Sequence, residues 1–348
     1  MTTGEAALAI DVARRARTAG RRRTHRVELA LFLLVLGIAA LSLSLGAYAI
    51  PLQDVVRTLL GEGTAREDFV VLDLRLPRLA LGVLVGAAFG MSGEIFQSVL
   101  RNPLASPDII GVTVGASVAA VLALLVLGLT GIAVSAAAFG GALIVAVLIY
   151  LLAWRDGVSG PRFVLIGVAV AFMAHAVLGY LLTRADVRDA QSAMVWMVGS
   201  LNGAGWDEIG VVAGALAVLV PAALVLRAPL RALALGDDTA RGLGVRAQGA
   251  RLGLIAVAVA LAAVGTAAAG PVAFVAFVAG PIAHRLVGGA SALVAAALVG
   301  VLVVTGADLL ALHLLPGGVQ VPVGVVTGLI GAPYLLWLLA TAGRGGAG

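Results

Sequence analysis

Apolar segments follow one another along nearly the whole chain, and only short polar stretches separate them. Each is about 20 residues long, enough for a helix to cross roughly 30 Å of hydrocarbon. Because the backbone must satisfy its own hydrogen bonds in lipid, a chain with this pattern spans the membrane as helices. The eighth segment is short and is interrupted by Gly280-Pro281. We predict ten spans, at 29–50, 79–100, 109–130, 131–154, 163–182, 209–226, 252–270, 271–288, 290–315 and 321–341.

This pattern predicts an all-α, polytopic membrane protein of about ten transmembrane helices, with short cytoplasmic helices in one connection. A single transmembrane domain covers 29–341, between an Arg-rich tail at 1–28 and a short tail at 342–348. The composition agrees, since 61% of the residues are hydrophobic and 12% are charged. Soluble globular proteins carry about 25% charged residues. The composition therefore leaves no room for a separate soluble domain.

Two absences exclude whole classes of chemistry. The chain has no cysteine, which excludes disulfides, thiol catalysis and cysteine metal sites. All 23 basic residues are arginine, and a Walker A motif needs a lysine that reaches the phosphates, so the chain is not a P-loop ATPase. The net charge of +5 lies in short loops, which indicates membrane orientation rather than nucleic-acid binding.

The arginines predict the orientation. With a cytoplasmic N-terminus, 17 arginines lie inside and six outside, as the positive-inside rule requires, and both termini are cytoplasmic. The basic tail, the apolar run and Ala47-Tyr48-Ala49 resemble a cleaved secretory signal. The run is longer than the 7–15 residues of a signal's apolar region, so we expect a retained first span.

The second span carries both a glycine face and polar groups. Gly82, Gly86 and Gly90 recur every fourth residue, which favours close helix packing; lining of a translocation path is the alternative. A carboxylate inside the membrane costs about 2.5–3.5 kcal/mol, so Glu94 faces protein or water, and Arg101 is a possible partner. Path or gate candidates are Gly86, Gly90, Glu94, Gln97, Asn102 and Asp308.

Two connections interrupt the apolar pattern. Prolines at 103 and 107 break the helix after Arg101, and Ser106 or Asp108 can cap the next one. The connection 228–251 is the largest predicted cytoplasmic one. There Asp237 or Asp238 can cap a short helix that Gly244 ends. Taken alone, this connection is either a solvated positive loop or a helix that receives force from a partner.

Several motifs resemble one family closely. R-L-P-R at 75–78, G-x-x-x-Q at 93–97 and R-N-P-L-A-x-P-x-x-x-G-x-x-x-G-A at 101–116 are similar to the permease subunits of type II ABC importers for iron-siderophores, haem and cobalamin, the FecCD-like family. The W-x-x-G-S-L run at 196–201, G-P-x-x-F at 270–274 and P-x-G-x-x-T at 322–327 also match, so the resemblance covers about 29–341. Three features depart from the family pattern: Glu94 replaces a small apolar residue, His284 replaces an arginine, and Leu312 and His313 occupy a region where the family often has an arginine.

The resemblance implies a transport subunit that binds no cofactor or metal and catalyses no reaction. ATP and Mg²⁺ belong to two copies of a partner ATPase, and the coupling residues implied for it are Leu235, Gly236, Asp237, Asp238, Ala240, Leu243, Gly244 and Val245. An extracytoplasmic substrate-binding protein would dock on Arg75 and Arg78, with Arg184 and Arg188 as weaker candidates. Ordinary interfacial arginines are the alternative.

The resemblance also implies a second homologous permease in a bacterial inner membrane, in contact with lipid and not with nucleic acid. A heterodimer is favoured and a homodimer stays open. The Ser106-Pro107-Asp108 variant favours a ferric siderophore of the enterobactin-like branch, with cobalamin or haem as alternatives.

Two other function classes fit the residues less well. An ion-coupled secondary transporter would use intramembrane titratable groups, here Glu94, His175 or Asp308; we interpret His175 as a hydrogen-bonded packing residue. An intramembrane enzyme would want DDxxD or HExxH patterns, which the sequence lacks.

Overall fold

The structure is a computed structural model that describes residues 3–155, 160–288, 292–313 and 321–342, with side chains from residue 18 onward except at 339 and 342. The described residues form helices and no strands, which confirms the all-α prediction. A π-helical segment, Phe69–Arg75, joins the third helix to the fourth. The α-helices are α1 (Thr3–Ser44), α2 (Leu52–Leu59), α3 (Ala65–Asp68), α4 (Leu76–Leu100), α5 (Pro107–Ile110), α6 (Val112–Leu125), α7 (Ile132–Ala153), α8 (Gly160–Arg184), α9 (Val187–Val198), α10 (Trp206–Val225), α11 (Arg227–Ala234), α12 (Asp237–Gly242), α13 (Ala247–Ala269), α14 (Val275–Val287), α15 (Leu293–His313) and α16 (Val323–Ala342).

Ten apolar helices correspond in order to the ten predicted spans. Within the described ranges seven are long and apolar enough to cross a membrane, and three are shorter: Val112–Leu125, Val275–Val287 and Val323–Leu338. The third span is shorter than predicted because Gly111, at φ +92°, ends α5 and begins α6. The last predicted tail falls almost wholly on residues outside the described ranges.

The predicted interruption at Gly280-Pro281 is wrong, since α14 runs through Pro281. A proline inside a helix removes the hydrogen bond to the carbonyl four residues earlier, here that of Phe277. The Gln97 side chain replaces this lost donor, because its Nε2 donates to the Phe277 carbonyl at 2.9 Å. Buried polar groups at membrane depth need such a partner. Gln97 therefore allows the proline-containing helix to continue.

The fourth helix is the centre of the bundle and packs against α13, α14 and α15. Its glycine face makes this possible: a Cβ at Gly86 would lie 2.6 Å from the Gly300 carbonyl oxygen and 2.7 Å from the Val301 Cα. Gly90 meets the Ala296 carbonyl in the same way. The face thus brings two backbones into direct contact, as small residues do in membranes.

Candidate functional sites at the two ends of the helix bundle

Polar side chains cluster at the two ends of α4. Arg78 lies in its first turn and Arg101 follows its last residue. At 1.5 Å per residue these positions are about 35 Å apart, slightly more than the hydrocarbon thickness. We call the two clusters the Arg78 end and the Asp237 end, after the residue at the centre of each.

At the Arg78 end, α4 is tied to α15 by a bidentate ion pair. The Arg78 Nε donates to Asp308 Oδ2 at 2.8 Å, and Nη2 donates to Oδ1 at 2.8 Å. The remaining Nη1 donates to Asn202 Oδ1 at 2.6 Å. Arg75 donates to the carbonyl of Leu43 in the last turn of α1 and to that of Tyr48 in the connection that follows. Arg75 and Arg78, the two leading docking candidates, therefore both hold the bundle together.

A cavity of about 430 Å³ opens beside this ion pair, between α1, α4 and α15. Other arginines at this end are more exposed. Arg184 lies over the Tyr180 ring at 5.6 Å, and Arg66 lies over Tyr48 at 4.3 Å. Arg57 and Arg66 were not among the docking candidates, although both lie in the predicted external connection before the second span. Within the described ranges, the exposed arginines at this end are Arg57, Arg66, Arg184 and Arg188.

At the Asp237 end, Glu94 is fully buried and contacts His284 of α14, whose Nε2 lies 2.9 Å from Oε2. Ser98 donates to Glu94 Oε1 at 3.1 Å. Arg101, the possible partner of Glu94 along the sequence, does not pair with it. Arg101 adopts the left-handed conformation, φ +51°, where α4 ends, and its side chain reaches Asp237 instead. Two of the departures from the family pattern, Glu94 and His284, thus contact each other.

The remaining path candidates also have structural contacts. Asn102 Oδ1 accepts from the Leu104 backbone N–H at 2.9 Å and so closes the turn after α4. Ser106, not Asp108, caps α5, because its Oγ accepts from the Ile109 N–H. A role in a path or gate stays a prediction for all six: Gly86, Gly90, Glu94, Gln97, Asn102 and Asp308.

The predicted coupling connection forms two short helices, α11 and α12. The prediction that Asp237 or Asp238 caps α12 is wrong. Gly236, at φ +111°, occupies the N-cap position, and neither aspartate side chain caps the helix. Gly244, at φ +80°, follows the helix in the left-handed conformation, as predicted. Asp238 instead pairs with Arg241 one turn later, at 2.9 Å.

Asp237 fixes α12 to two spans. Its carboxylate accepts from Arg251 of α13 at 2.8 and 3.0 Å, and from Arg101 at 3.1 Å. Partial burial alone would raise the pKa of Asp237, but the Arg251 hydrogen bond and the charges of Arg251, Arg101 and Arg241 outweigh it and lower the pKa. The aspartate is therefore ionised at neutral pH.

Two leucines flank this fixed helix and face outward. Leu235 is 63% exposed and Leu243 is 65% exposed, whereas Ala240 between them is buried. Gly236 and Val245 are half-buried beside them. A rigid segment that exposes apolar side chains at its two ends suits a protein contact.

The fifth span shows one further correction. The Nδ1 of His175 in α8 donates to the Ala171 carbonyl at 2.8 Å, but the side chain is exposed and not packed inside the chain. The same helix exposes Leu165, Phe172, Met173 and Tyr180. Among the described residues, no three His, Asp or Glu side chains are grouped closely enough to hold a metal ion.

Comparisons with known proteins agree with this architecture. The model of the FecCD transport family matches residues 32–341. The chain is 40% identical to the ferric enterobactin transport system permease protein of Escherichia coli over 86% of this chain and 91% of that protein. It is 41% identical to the achromobactin transport system permease protein of Dickeya dadantii, with 90% of each chain covered. It is 37% identical to the Fe(3+)-citrate import system permease protein YfmE of Bacillus subtilis, over 91% of this chain and 94% of that one.

A solved structure has the same fold. It is a metal-chelate type ABC transporter in an inward-facing conformation, with a TM-score of 0.82 and 26% identity over 91% of this chain and 99% of that one. The family match covers most of the chain, and the relatives are permeases over nearly their full lengths. The chain therefore belongs to the FecCD transport family and is a membrane permease subunit of the ABC-importer kind.

Proposed function

We propose that this permease imports a ferric siderophore, with ATP hydrolysed on a partner ATPase that contacts α12. The observation that carries the coupling assignment is the pair of exposed leucines, Leu235 and Leu243, on a segment that Asp237 ties to two spans. A displacement of α12 is transmitted through Arg251 to α13 and through Arg101 to α4. Relatives whose names specify ferric enterobactin, achromobactin and Fe(3+)-citrate support the substrate class.

The proposed orientation places the Asp237 end in the cytoplasm, because most arginines then lie inside. Two ATPase subunits that bind ATP and Mg²⁺ act there. At the Arg78 end, we assign docking of the substrate-binding protein chiefly to the exposed arginines 57, 66, 184 and 188. Charges at an interface rim govern encounter rate and register more than affinity.

The test uses the assembled transporter in proteoliposomes. Leu243→Asp introduces a carboxylate where an apolar contact is proposed, and Leu60→Asp makes the same change at an equally exposed leucine of the opposite end. We expect Leu243→Asp to lose the co-purified ATPase and ATP-driven uptake of ferric enterobactin, while Leu60→Asp retains the ATPase. An equal retention of ATPase in both variants would overturn the coupling assignment.

A second permease is proposed to cover α8, and a heterodimer is favoured. An intramembrane polar side chain faces protein or water rather than lipid, and His175 faces out of this chain. The absence of native cysteine allows a direct test. A single cysteine at Phe172 should cross-link to the second permease, whereas one at Ile144 on α7, which is similarly exposed, should not.

The secondary-transporter alternative has less support from the structure. Glu94 pairs with His284, and Asp308 pairs with Arg78, so neither carboxylate stands unpaired for a coupling ion. Uptake that a protonophore abolishes and that survives loss of ATPase activity would nevertheless establish it.

A further inference from the structure

The N-terminal arginines have no part in the functions above. Seven of the 23 arginines lie between residues 14 and 26, and the family match begins only at residue 32. This basic segment is not a separate tail. It belongs to α1, which runs from Thr3 to Ser44 and passes directly from the basic segment into the first span.

The geometry of α1 sets the depth of these arginines in the membrane. From Arg26 to Ser44 the helix rises 18 residues, or about 27 Å, close to the hydrocarbon thickness of roughly 30 Å. Arg26 therefore lies at the boundary of the hydrocarbon, and Arg22 lies one turn further out. Both positions are at the level of the lipid headgroups.

The rotation of α1 about its axis is also fixed. Arg23 donates to the carbonyl of Leu286 at 3.1 Å, at the C-terminal end of α14. One and two turns further along α1, Val27 and Leu31 pack into the cluster that contains Ala283 and Val287. The Arg23 face of α1 is thus turned toward the protein, while neighbouring faces point outward.

An open groove lies along this part of α1, lined by Thr18, Ala19, Arg22, Arg23, Arg26 and Val27. Arg22 and Arg26 are one turn apart and exposed. Within the described part of the chain, no carboxylate lies within ion-pair distance of either guanidinium; the neighbouring Glu28 instead lies 3.5 Å from His25. Below them, Leu29, Phe32 and Leu33 expose an apolar helix surface at the depth of the acyl chains.

We propose that Arg22 and Arg26 bind the phosphate of an anionic phospholipid, whose acyl chain lies along the exposed apolar face of α1. A guanidinium donates two parallel hydrogen bonds to a phosphate, and arginines near an anionic membrane surface favour such lipids. We favour a lipid over an acidic protein surface because Arg22 and Arg26 lie at the level of the lipid headgroups. Only the choice of leaflet rests on the orientation in the proposed function; lipid binding itself does not.

The experiment is native mass spectrometry of the assembled transporter, released from nanodiscs with equal amounts of phosphatidylglycerol and phosphatidylcholine in both leaflets. The test variant is Arg22→Gln with Arg26→Gln, which keeps helix propensity nearly unchanged because Gln and Arg are similar helix formers. The matched control is Arg155→Gln with Arg162→Gln, an exposed arginine that follows α7 and a half-buried arginine in the first turn of α8. The control removes the same charge from the same predicted membrane face.

We expect the wild type and the control to retain phosphatidylglycerol preferentially. In the test variant, the ratio of retained phosphatidylglycerol to phosphatidylcholine should fall at least about tenfold. Equal retention of the two lipids by the wild type would overturn the proposal, as would equal loss in test and control variants. If the Arg22→Gln, Arg26→Gln variant retains lipid like the wild type but loses the ATPase, the proposal is overturned in favour of an acidic protein partner. Failure of the ATPase coupling assignment alone would leave the lipid ratio unchanged, so the two failures are distinguishable.

Discussion

Gly86→Ala separates the packing and path-lining interpretations of the α4 glycine face. The new Cβ would lie 2.6 Å from the Gly300 carbonyl oxygen, about 0.8 Å short of the 3.4 Å at which ordinary contact begins. The neighbouring atoms, Val301 Cα at 2.7 Å and Val301 N at 2.8 Å, are also backbone, so no side-chain rotation relieves the overlap. α4 and α15 must therefore separate. Overpacking of this kind costs about 1–3 kcal/mol.

The assay is the unfolding free energy of the purified chain, measured by titration with sodium dodecyl sulfate in mixed micelles. Gly210→Ala on α10 is the matched control, because a Cβ there would have no neighbour within 4 Å. In a helix this control change is neutral or stabilises by up to about 1 kcal/mol. We expect Gly86→Ala to be less stable than the control by about 2 kcal/mol or more. Equal stabilities, combined with altered transport in Gly86→Ala only, would refute the packing interpretation and restore the path-lining one.

Three further predictions concern the ion pairs. His284→Ala removes one of the two side-chain partners of the buried Glu94, the other being Ser98, and should lower the unfolding free energy by about 3 kcal/mol; the double variant with Glu94→Ala should lose well below the sum of the two single losses. Asp308→Asn should cost about 2 kcal/mol through the charged hydrogen bonds of Arg78, and additive costs of Asp308→Asn and Arg78→Gln would count against their coupling. In the folded protein the pKa of Asp237 is lowered from its ordinary 3.8. The stability that Asp237 contributes is therefore fully present above pH 3.8 and is lost as the pH falls through its pKa in the folded state. A spin label at residue 243 should keep constant mobility from pH 5 to 8 and loosen only below about pH 4; loosening near pH 6 would assign the tether to another group.

The sequence by itself determined the number, order and helical nature of the spans. Membrane thickness imposes a length of about 20 apolar residues, and lipid offers the backbone no hydrogen-bond partner. The helical spans can therefore be predicted from the order of residues along the chain, without knowledge of which helices are adjacent. The glycine spacing at 82, 86 and 90 likewise predicted a close helix contact, because a four-residue repeat places small residues on one helix face. Gly244 was predicted as a helix stop, because glycine readily adopts a positive φ.

Only the tertiary structure decided which groups meet. Glu94 has Arg101 two turns away on the chain, yet it pairs with His284, 190 positions distant. The motif that contains Arg75 and Arg78 predicts a docking surface. In the structure, however, Arg78 pairs with Asp308 and Arg75 donates to the Leu43 carbonyl. Pro281 has the local appearance of a helix break, and the Gln97 side chain of another helix removes that effect. Hydrophobic periodicity shows which residues avoid water, but a polar partner depends on which helices are adjacent and how each is rotated, and packing among all the spans sets both.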